Sequence, residues 1–253
     1  KKIKMKKIIF IITARLGSYR FPTKPFVDIC GKSMIEHVYK RAKLCKSIDE
    51  VYVATPNIEI QEHVENFGGK AIMTTDDVRR ASDRVAQAAN IIGDADIIIN
   101  LQGDEPLVTP EMIDKALQPI LDDPSIACVS LAKKVGFEEA KDIHEVKVVF
   151  DNKMNALYFS REPIPSKFMG DKKIDYYVGV CVFPFTKDSL DRFTNYKSTN
   201  LEIIESIDMM RLIENGEKVK IVITEDETYS IDVPSDVEKT ILAMEKDKLK
   251  DLY

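Results

Sequence analysis

Ile97-Ile-Ile-Asn-Leu-Gln-Gly-Asp-Glu-Pro-Leu107 is the segment that says most about how this chain folds. A continuous apolar run ended by Gly and Pro is typical of a parallel strand covered on both faces. Ligands of open α/β sheets bind at the carboxyl ends of such strands, which makes Gln102, Asp104 and Glu105 candidate site residues. An acid at this position can hold Mg²⁺, which prefers oxygen ligands and often joins protein carboxylates to substrate phosphates. The alternative is a polar turn that only ends a strand.

A loop rich in cations follows a second apolar run, residues 8–12, near the start of the chain. Its candidate anion-binding residues are Arg15, Gly17, Ser18, Arg20 and Lys24. The glycine and serine let backbone N–H groups approach an anion, and the cations add attraction. Because the whole chain carries a net charge of -5, this cluster runs against its background and predicts a triphosphate ligand. The P-loop and G-x-G-x-x-G patterns are absent, and the alternative is a solvated surface loop.

Composition narrows the class of protein. The chain has 253 residues, of which 44% are hydrophobic, enough for a substantial core. Its acidic balance argues against a general nucleic-acid binder, which would carry a basic stripe. No apolar run approaches the roughly 20 residues that span a bilayer, so we predict no membrane span. The basic start of the chain lacks the long apolar stretch of a signal peptide. Met5 as the native start, with residues 1–4 added, stays an open alternative.

The cysteines and histidines show no metal-binding spacing. Cys30, Cys45, Cys128 and Cys181 contain no C-x-x-C pair, so we expect neither zinc nor a disulfide framework, and we predict a cytoplasmic location. The three histidines, His37, His63 and His144, are interpreted as structural or surface residues.

Strand and helix patterns alternate in the first half of the chain. We predict strands near 7–13, 50–55, 70–73 and 96–102, and helices near 33–46, 58–66, 83–92 and 110–122. Thr109 and Pro110 form a good N-cap and N1 pair for the last of these helices. Alternating βα units predict a parallel sheet. After residue 123 strand-like runs dominate, at 126–134, 145–150, 155–160 and 176–184, which indicates mixed or antiparallel strands. Helices are predicted again at 202–214 and 235–247.

A resemblance to a known family runs along nearly the whole chain. Its matching segments are the two described above, with Phe21-Pro22 and Lys24-Pro25, then Phe67-Gly-Gly69, Met73-Thr74, Ser82-Asp-Arg84, Val146-Lys-Val-Val149, Tyr158-Phe-Ser-Arg161 with Pro163-Ile-Pro165, Arg211 with Glu214-Asn-Gly216, and Asp232-Val-Pro234. In this order they resemble the cytidylyltransferases that activate 3-deoxy-manno-octulosonate (Kdo) as its CMP sugar. Because many separate motifs agree, the resemblance is far more specific than any one of them.

The resemblance implies a fold and a setting. The expected fold is α/β and Rossmann-like, with a mostly parallel central sheet flanked by helices and a smaller strand-rich lobe. We expect a single nucleotidyltransferase domain, residues 1–253, in which 1–123 mainly bind the nucleotide. Residues from about 126 to 200 would form a lobe for sugar binding and dimerisation. The implied setting is a homodimer that supplies lipopolysaccharide or capsule synthesis.

The resemblance also implies the chemistry. An acceptor hydroxyl attacks the α-phosphorus of CTP and pyrophosphate leaves, a reaction that needs positioning and charge neutralisation. The implied catalytic residues are Arg15, Lys24 and Asp104, and Asp104 with Asp232 would hold Mg²⁺. A cap at the start of the last helix is the alternative for Asp232. The predicted nucleotide-binding residues are Ala14, Arg15, Gly17, Ser18, Arg20, Lys24, Arg80, Ser82, Arg84 and Gln102.

Departures from the family pattern concentrate in two places. A Ser-Gly turn of the family reads Arg80-Ala81 here, which adds a cation and removes a glycine. In the sugar lobe, four hydrogen-bonding groups of the family pattern are replaced by Tyr177, Cys181, Asp208 and Met209. Because lost polar groups change which acceptor a site selects, we expect a Kdo-like acid or another small anionic acceptor. The predicted acceptor-binding residues are Arg161, Tyr177, Cys181, Asp208, Met209 and Arg211.

Three functions remain open at this point. The first is an active CTP-dependent cytidylyltransferase. The second keeps the fold but uses UTP or another triphosphate, which the Arg80-Ala81 change would permit. The third is a non-catalytic binding relative, since a fold does not fix a function. The retained Asp104 and Asp232 favour an enzyme, because a binding module has no need of two metal carboxylates.

Overall fold

The computed structural model describes residues 6–17, 20–78, 80–168 and 173–253. The chain divides into two compact units. The first contains the residues up to Asp114 together with Glu227–Tyr253, and the second contains Lys115–Asp226. The C-terminal segment therefore returns to the unit that holds the N-terminal strands.

Strands and helices follow one another along the described residues. The strands are β1 Ile8–Thr13, β2 Asp28–Ile29, β3 Lys32–Ser33, β4 Glu50–Thr55, β5 Ala71–Met73, β6 Ile97–Gln102, β7 Cys128–Val135, β8 Lys147–Phe150, β9 Ala156–Ser160, β10 Tyr176–Val180, β11 Val182–Thr186 and β12 Val219–Thr224. The α-helices are α1 Met34–Leu44, α2 Ile58–Asn66, α3 Ala81–Ile92, α4 Pro110–Asp122, α5 Phe137–Ala140, α6 Lys187–Asn195, α7 Asn200–Glu205, α8 Met209–Glu214 and α9 Asp236–Lys246. Short 3₁₀ helices cover Lys24–Phe26 and Lys248–Leu252.

The first unit is built on a parallel sheet, as predicted. Its strands follow the order β5-β4-β1-β6, and each neighbouring pair is parallel. The apolar runs of β1 and β6 are buried on both faces, which explains why they read as continuous rather than alternating. Thr109 caps α4 as predicted, since its Oγ1 accepts a hydrogen bond from the Met112 N–H at 3.1 Å.

The second unit contains the strand-rich lobe. Strands β11, β7, β10, β8 and β9 follow one another in antiparallel pairs, and β12 adds to β7 as a parallel partner. The prediction of mixed or antiparallel strands after residue 123 is therefore confirmed. Helices α6, α7 and α8 belong to this unit, and its core includes Phe159, Phe185 and Phe193.

Two predicted elements need correction, and other elements were not predicted. The helix predicted over 202–214 is two helices, α7 and α8, because Ser206 adopts a left-handed conformation with φ 56° between them. The strand predicted over 176–184 is two strands, divided at Cys181. Helix α6 and strand β12 were not predicted, although Thr186 caps α6 and Val219–Thr224 is rich in β-branched residues.

A buried histidine ties α1 to the C-terminal segment of the first unit. His37 Nε2 lies 2.7 Å from the Ile29 carbonyl oxygen, which can only accept, so this nitrogen carries the proton. Its Nδ1 lies 2.8 Å from the Tyr253 hydroxyl, and burial raises the pKa of that phenol to about 12, so the hydroxyl donates. Burial also lowers the pKa of His37, ahead of the charges of Lys32 and Arg41. The histidine is therefore structural and neutral.

This pairing predicts a specific loss of stability in mild acid. Because the pKa of His37 is lower in the folded than in the unfolded chain, the unfolded chain binds the extra proton first. The free energy of unfolding should then fall below about pH 6.5, by at most ~1.4 kcal/mol per pH unit, until the folded histidine also titrates. Denaturant unfolding at pH 7.5 and 5.5 measures this. The loss should be smaller in His37→Gln, and an equal loss in both proteins would contradict the assignment.

The helices of the described segments include no candidate for crossing a lipid bilayer, since none is both long and apolar enough.

Candidate active site

A pocket of about 380 Å³ opens at the carboxyl ends of β1 and β6 in the first unit. These strands are paired side by side, with Thr13 opposite Gln102 at their ends. The residues lining the pocket are Thr13, Ala14, Arg15, Arg20, Lys24, Pro25, Met34, Arg80, Ala81, Arg84, Gln102, Gly103, Asp104 and Asp232. The sheet edge therefore brings together the cation-rich loop, the acidic turn and the segment around Asp232.

The turn after β6 fits tightly against the end of β1. The Gly103 N–H donates to the Thr13 carbonyl oxygen at 3.1 Å. A Cβ atom at this glycine would lie 2.7 Å from the same oxygen and 3.2 Å from Ile35 Cδ1. Backbone cannot move aside cheaply, so only glycine allows this approach. Because Gln102 and Asp104 flank Gly103, this contact fixes their positions relative to the end of β1.

We expect Gly103→Ala to destabilise the protein and to displace the acidic turn. Overpacking of this kind costs roughly 1–3 kcal/mol. Denaturant unfolding checks the loss, with Gly17→Ala as the matched variant, since a Cβ at Gly17 would meet no atom of the described residues within 4 Å. Equal unfolding midpoints for the two variants would contradict the tight-contact argument.

Lys24 joins three segments of the site. Its Nζ donates to Asp104 Oδ2 at 2.8 Å and to the Ile231 carbonyl oxygen at 2.7 Å. The Ile231 N–H in turn donates to the Asp104 carbonyl oxygen at 3.0 Å, so the acidic turn and the segment before Asp232 are held together. Thr23, directly before Lys24, has a φ of 59°, an unfavourable value for a β-branched residue. Two hydrogen bonds therefore place the lysine ammonium, directly after a residue in an unfavourable backbone conformation.

Asp232 does not serve as a helix cap. Its Oδ1 lies 2.7 Å from Arg20 Nη2. Ser235 stands directly before α9, and the carboxylate of Asp236, the first residue of that helix, accepts instead from the preceding backbone N–H groups of Asp232 and Val233 at 2.8 and 2.9 Å. The helix-cap alternative for Asp232 is therefore wrong, and its carboxylate faces the pocket that Asp104 also lines.

The two carboxylates suit a hard divalent cation. Asp104 Oδ1 is buried and has no hydrogen-bond partner among the described residues. A buried, unsatisfied carboxylate oxygen is costly unless a ligand or ion completes it. The described residues contain no cluster of three or more His, Cys, Asp or Glu side chains suited to a metal. Two carboxylates with remaining ligands from substrate phosphates match the way proteins commonly bind Mg²⁺.

Cations outnumber acids in the lining of the pocket. Arg15, Arg20, Lys24, Arg80 and Arg84 face two carboxylates there. Because the chain as a whole is acidic, this local excess attracts polyanions to this site.

Arg84 shapes the pocket as well as lining it. It donates to the Val78 carbonyl at 2.8 Å, to the Thr75 carbonyl at 3.1 Å, and to the Thr74 hydroxyl. Burial, and then the charge of Arg15, lowers the pKa of its guanidinium. The arginine therefore holds the segment between β5 and α3 against the first turn of α3.

The other predicted nucleotide-binding residues do not all line the pocket. Ala14 lines the pocket, and the Leu16 N–H after it is held by Asn57 Oδ1 at 3.0 Å. Gly17 and Ser82 are not among the lining residues, and Ser82 is buried. Glu105 is also buried and does not line the pocket. Ser18, like residues 1–5, lies outside the described residues.

Four predicted acceptor-binding residues lie in or beside strands and helix starts of the second unit. Arg161 donates from Nε to the Glu205 carbonyl at 2.9 Å and from Nη1 to the Ile143 carbonyl at 3.0 Å. Tyr177, half-buried on β10, packs its ring on Phe150 with 4.9 Å between centroids. The other two, Cys181 and Asp208, are half-buried.

The remaining two predicted acceptor-binding residues are buried in that unit. Met209 Sδ lies 3.6 Å from Cys128 Sγ. Arg211 donates to both carboxylate oxygens of Glu202, at 2.9 and 2.6 Å, and stacks on the Phe193 ring. These contacts give both side chains packing roles, and their assignment to an acceptor stays a prediction.

Some residues that hold the site gave no recognisable sequence signal. Asn57 holds the loop after β1, and Gly103 allows the close approach of two strand ends. Glu205 gathers Tyr158, Ser160 and Arg161 around one carboxylate, with three contacts of 3.0 Å. Each of these roles depends on a partner far along the chain, which periodicity and motif spacing do not reveal.

Comparisons with known proteins all find cytidylyltransferases among the similar sequences. Residues 9–219 match the family model described as Cytidylyltransferase. A 3-deoxy-manno-octulosonate cytidylyltransferase of Desulfatibacillum aliphaticivorans is 40% identical over 96% of this chain and 100% of its own. An 8-amino-3,8-dideoxy-manno-octulosonate cytidylyltransferase of Shewanella frigidimarina is also 40% identical, over 95% of this chain and 100% of its own.

A solved structure is similar over almost the whole fold. It is that of CMP:2-keto-3-deoxy-manno-octonic acid synthetase complexed with CTP, with a TM-score of 0.88 and 36% identity. The match covers 95% of this chain and 99% of that one.

Proposed function

Because this chain belongs to the cytidylyltransferase family, we infer that it is a CTP-dependent nucleotidyltransferase acting on a Kdo-like sugar acid. The reaction transfers the CMP group to the acceptor and releases pyrophosphate. The observation that carries this inference is the pocket at the ends of β1 and β6, where Lys24 contacts Asp104 and where four arginines also line the walls. A site with this charge pattern fits a triphosphate and its reaction.

The charged and polar residues of the pocket can take different roles in the reaction. The acceptor hydroxyl oxygen forms a bond to the α-phosphorus and gives up its proton to solvent, while the bond from that phosphorus to the bridging oxygen breaks and its electron pair leaves with pyrophosphate. Arg15 and Lys24 lie where they can neutralise the leaving pyrophosphate. Gln102, at the end of β6, can donate or accept one hydrogen bond near the reacting groups. Positioning and charge neutralisation supply most of the catalysis in such reactions.

We further propose Mg²⁺ as the cofactor, held by Asp104 and Asp232. The buried Oδ1 of Asp104 supports this assignment, since it has no partner among the residues the structure describes. When bound, the ion supplies positive charge to the phosphate oxygens. The carboxylates themselves keep Lys24 and Arg20 in fixed positions beside the pocket.

The acceptor is the least determined part of the proposal. Two relatives, each 40% identical to this chain, carry the names of two different acceptors, Kdo and its 8-amino analogue. Overall identity therefore does not select between them. We propose a Kdo-like acid, with Arg161 and Tyr177 as candidate acceptor-binding residues that are not fully buried in the second unit. A place in lipopolysaccharide or capsule synthesis, in the cytoplasm, follows from this acceptor and stays a proposal.

One departure from the family pattern bears on which nucleotide the pocket binds. Arg80 and Ala81 line the pocket where the family pattern has Ser-Gly. Cytosine presents two adjacent acceptors, O2 and N3, which the donors of one guanidinium can match, whereas uracil has an N3–H donor there. This chemistry favours CTP. Pyrophosphate release with CTP and UTP at equal concentrations distinguishes the two, and faster release with UTP would select the alternative.

A panel of acceptors tests the proposed function. Pyrophosphate release is measured with CTP and Mg²⁺ and, in turn, Kdo, its 8-amino analogue, nonulosonic acids, and small phosphates or phosphonates. We expect release with an octulosonic acid. Release only with a phosphorylated acceptor would contradict the proposed acceptor but keep the nucleotide chemistry. Absence of release, together with absence of CTP binding, would contradict the enzyme assignment itself.

We also propose a homodimer, formed through the second unit. Leu157 on β9 and Ile203 and Ile204 on α7 are exposed, with 57%, 60% and 68% of their surfaces accessible. The Tyr158 hydroxyl donates to Glu205 Oε1 at 3.0 Å, so these segments lie side by side. A second copy of the chain is the occupant we propose for this surface.

The dimer predicts a change of mass in solution. Ile204→Glu should convert a dimer to a monomer in light scattering after size exclusion, because a charge in an apolar interface is costly. Leu242→Glu is the matched control, since Leu242 is 52% exposed in the first unit. A monomeric parent protein, or a dimer that survives Ile204→Glu, would contradict the proposal.

A further inference from the structure

Asn100 is a polar residue in the middle of an otherwise apolar buried strand. It lies on β6 between Ile99 and Leu101, and it is 1% exposed. Its Nδ2 donates to the Ser82 hydroxyl at 3.2 Å, and Ser82 is also 1% exposed. Burying an amide costs free energy unless its hydrogen bonds are made. A valine or leucine would fill this place more favourably if packing were the whole requirement.

Only part of the amide is satisfied. Asn100 Oδ1 has no hydrogen-bond partner among the residues that the structure describes. If the amide is flipped, its oxygen faces the Ser82 hydroxyl and its nitrogen becomes the atom without a partner among the described residues. The residue therefore adds little net stability, and its value must lie in what the bond to Ser82 holds.

That bond holds the first turn of α3. Ser82 is the second residue of this helix, and Arg80, Ala81 and Arg84 of the same turn line the pocket. The Arg84 N–H donates to the Arg80 carbonyl at 3.1 Å, so the turn moves as one piece. The buried hydrogen bond to Ser82 therefore sets how far the pocket-lining residues of this turn extend into the pocket.

The strand side of the bond is equally well fixed. Side chains two apart on a strand share a face, so Asn100 lies on the face that Gln102 occupies at the strand end. Asn100 is paired in register with Ile11 of β1, in the centre of the parallel sheet. The hydrogen bond therefore fixes α3 to β6, the strand that carries Gln102 and leads into Asp104.

We propose that Asn100 is a positioning residue for nucleotide binding. Through Ser82 it sets the first turn of α3, and with it Arg80 and Arg84, relative to the acidic turn after β6. This inference rests on the proposed function, because it takes CTP as the ligand of the pocket. It assigns Asn100 no contact with the nucleotide itself.

The test compares Asn100→Leu, Ser82→Ala and the double variant. The dissociation constant for CTP, measured by calorimetry, should rise about tenfold in each single variant. It should rise no further in the double variant, because both changes remove the same bond. The KM for the acceptor should stay near that of the parent protein. Ile98→Val is the control, since Ile98 is fully buried on the same strand and face.

Stability provides the second readout. Asn100→Leu should lose no more stability in denaturant unfolding than Ile98→Val, although it weakens CTP binding and the control does not. CTP binding unchanged in folded Asn100→Leu and Ser82→Ala would overturn the proposal. If Asn100→Leu does not fold, the result for Ser82→Ala decides alone. Failure of the proposed function looks different, because the parent protein itself would then not bind CTP.

Discussion

Asp104→Asn should reduce kcat by at least about a hundredfold, which is ~2.7 kcal/mol of transition-state stabilisation. The amide keeps the shape of the side chain and can still accept a bond from Lys24, which lies 2.8 Å from Asp104 Oδ2. It removes the negative charge and with it the proposed hold on Mg²⁺. Pyrophosphate release at saturating CTP and acceptor is the measurement.

The fold of this variant should stay intact. The backbone carbonyl of Asp104 still accepts from the Ile231 N–H, and Gly103 still packs on Thr13. Asp94→Asn serves as the control because the Asp94 side chain is 78% exposed. An Asp104→Asn protein that turns over at the parent rate would contradict the proposed role of this carboxylate.

Lys24→Met should lower kcat/KM by on the order of a hundredfold and should also destabilise the protein. The loss of activity follows from the missing charge beside the leaving pyrophosphate. The loss of stability, roughly 1–3 kcal/mol, follows because the carboxylate of Asp104, 15% exposed, is left without its partner. Steady-state kinetics and denaturant unfolding measure the two effects separately.

A double variant separates these two causes. In Lys24→Met combined with Asp104→Asn no unpaired carboxylate remains, so part of the stability should return while activity does not. Lys40→Met is the matched control, since Lys40 forms a helix-surface ion pair with Glu36 at 2.7 Å. Recovery of activity in the double variant, or unchanged stability in Lys24→Met, would contradict the structural account of this pair.

The parts of the fold that could be predicted are those governed by local patterns. The apolar runs of β1 and β6 are long enough to be recognised as buried strands from the sequence alone. The Thr109-Pro110 pair marked the start of α4 in the same way. The error at 202–214 arose because apolar periodicity continues through Ser206, and only the left-handed backbone there separates α7 from α8.

Part of the pocket lining could be predicted from the sequence, but its geometry could not. Arg15, Lys24, Gln102 and Asp104 follow strand ends that a parallel sheet places at one edge, so physical reasoning reached them. The approach of Asp232 came only from the family resemblance. Its ion pair with Arg20 depends on long-range packing, because the two residues lie far apart along the chain. Asn57, Gly103 and Asn100 act through such packing too, so their roles required the structure.

Phosphorus NMR of the complete reaction tests the central claim most directly. The purified protein is incubated with CTP, Mg²⁺ and Kdo or its 8-amino analogue, and the phosphorus signals are followed in time. We predict a new CMP diester signal that grows in a one-to-one ratio with pyrophosphate, and neither signal with Asp104→Asn. Pyrophosphate with CMP alone would indicate hydrolysis rather than transfer. That result, or no loss of CTP with either acceptor, would contradict the assignment as a cytidylyltransferase for a Kdo-like acid.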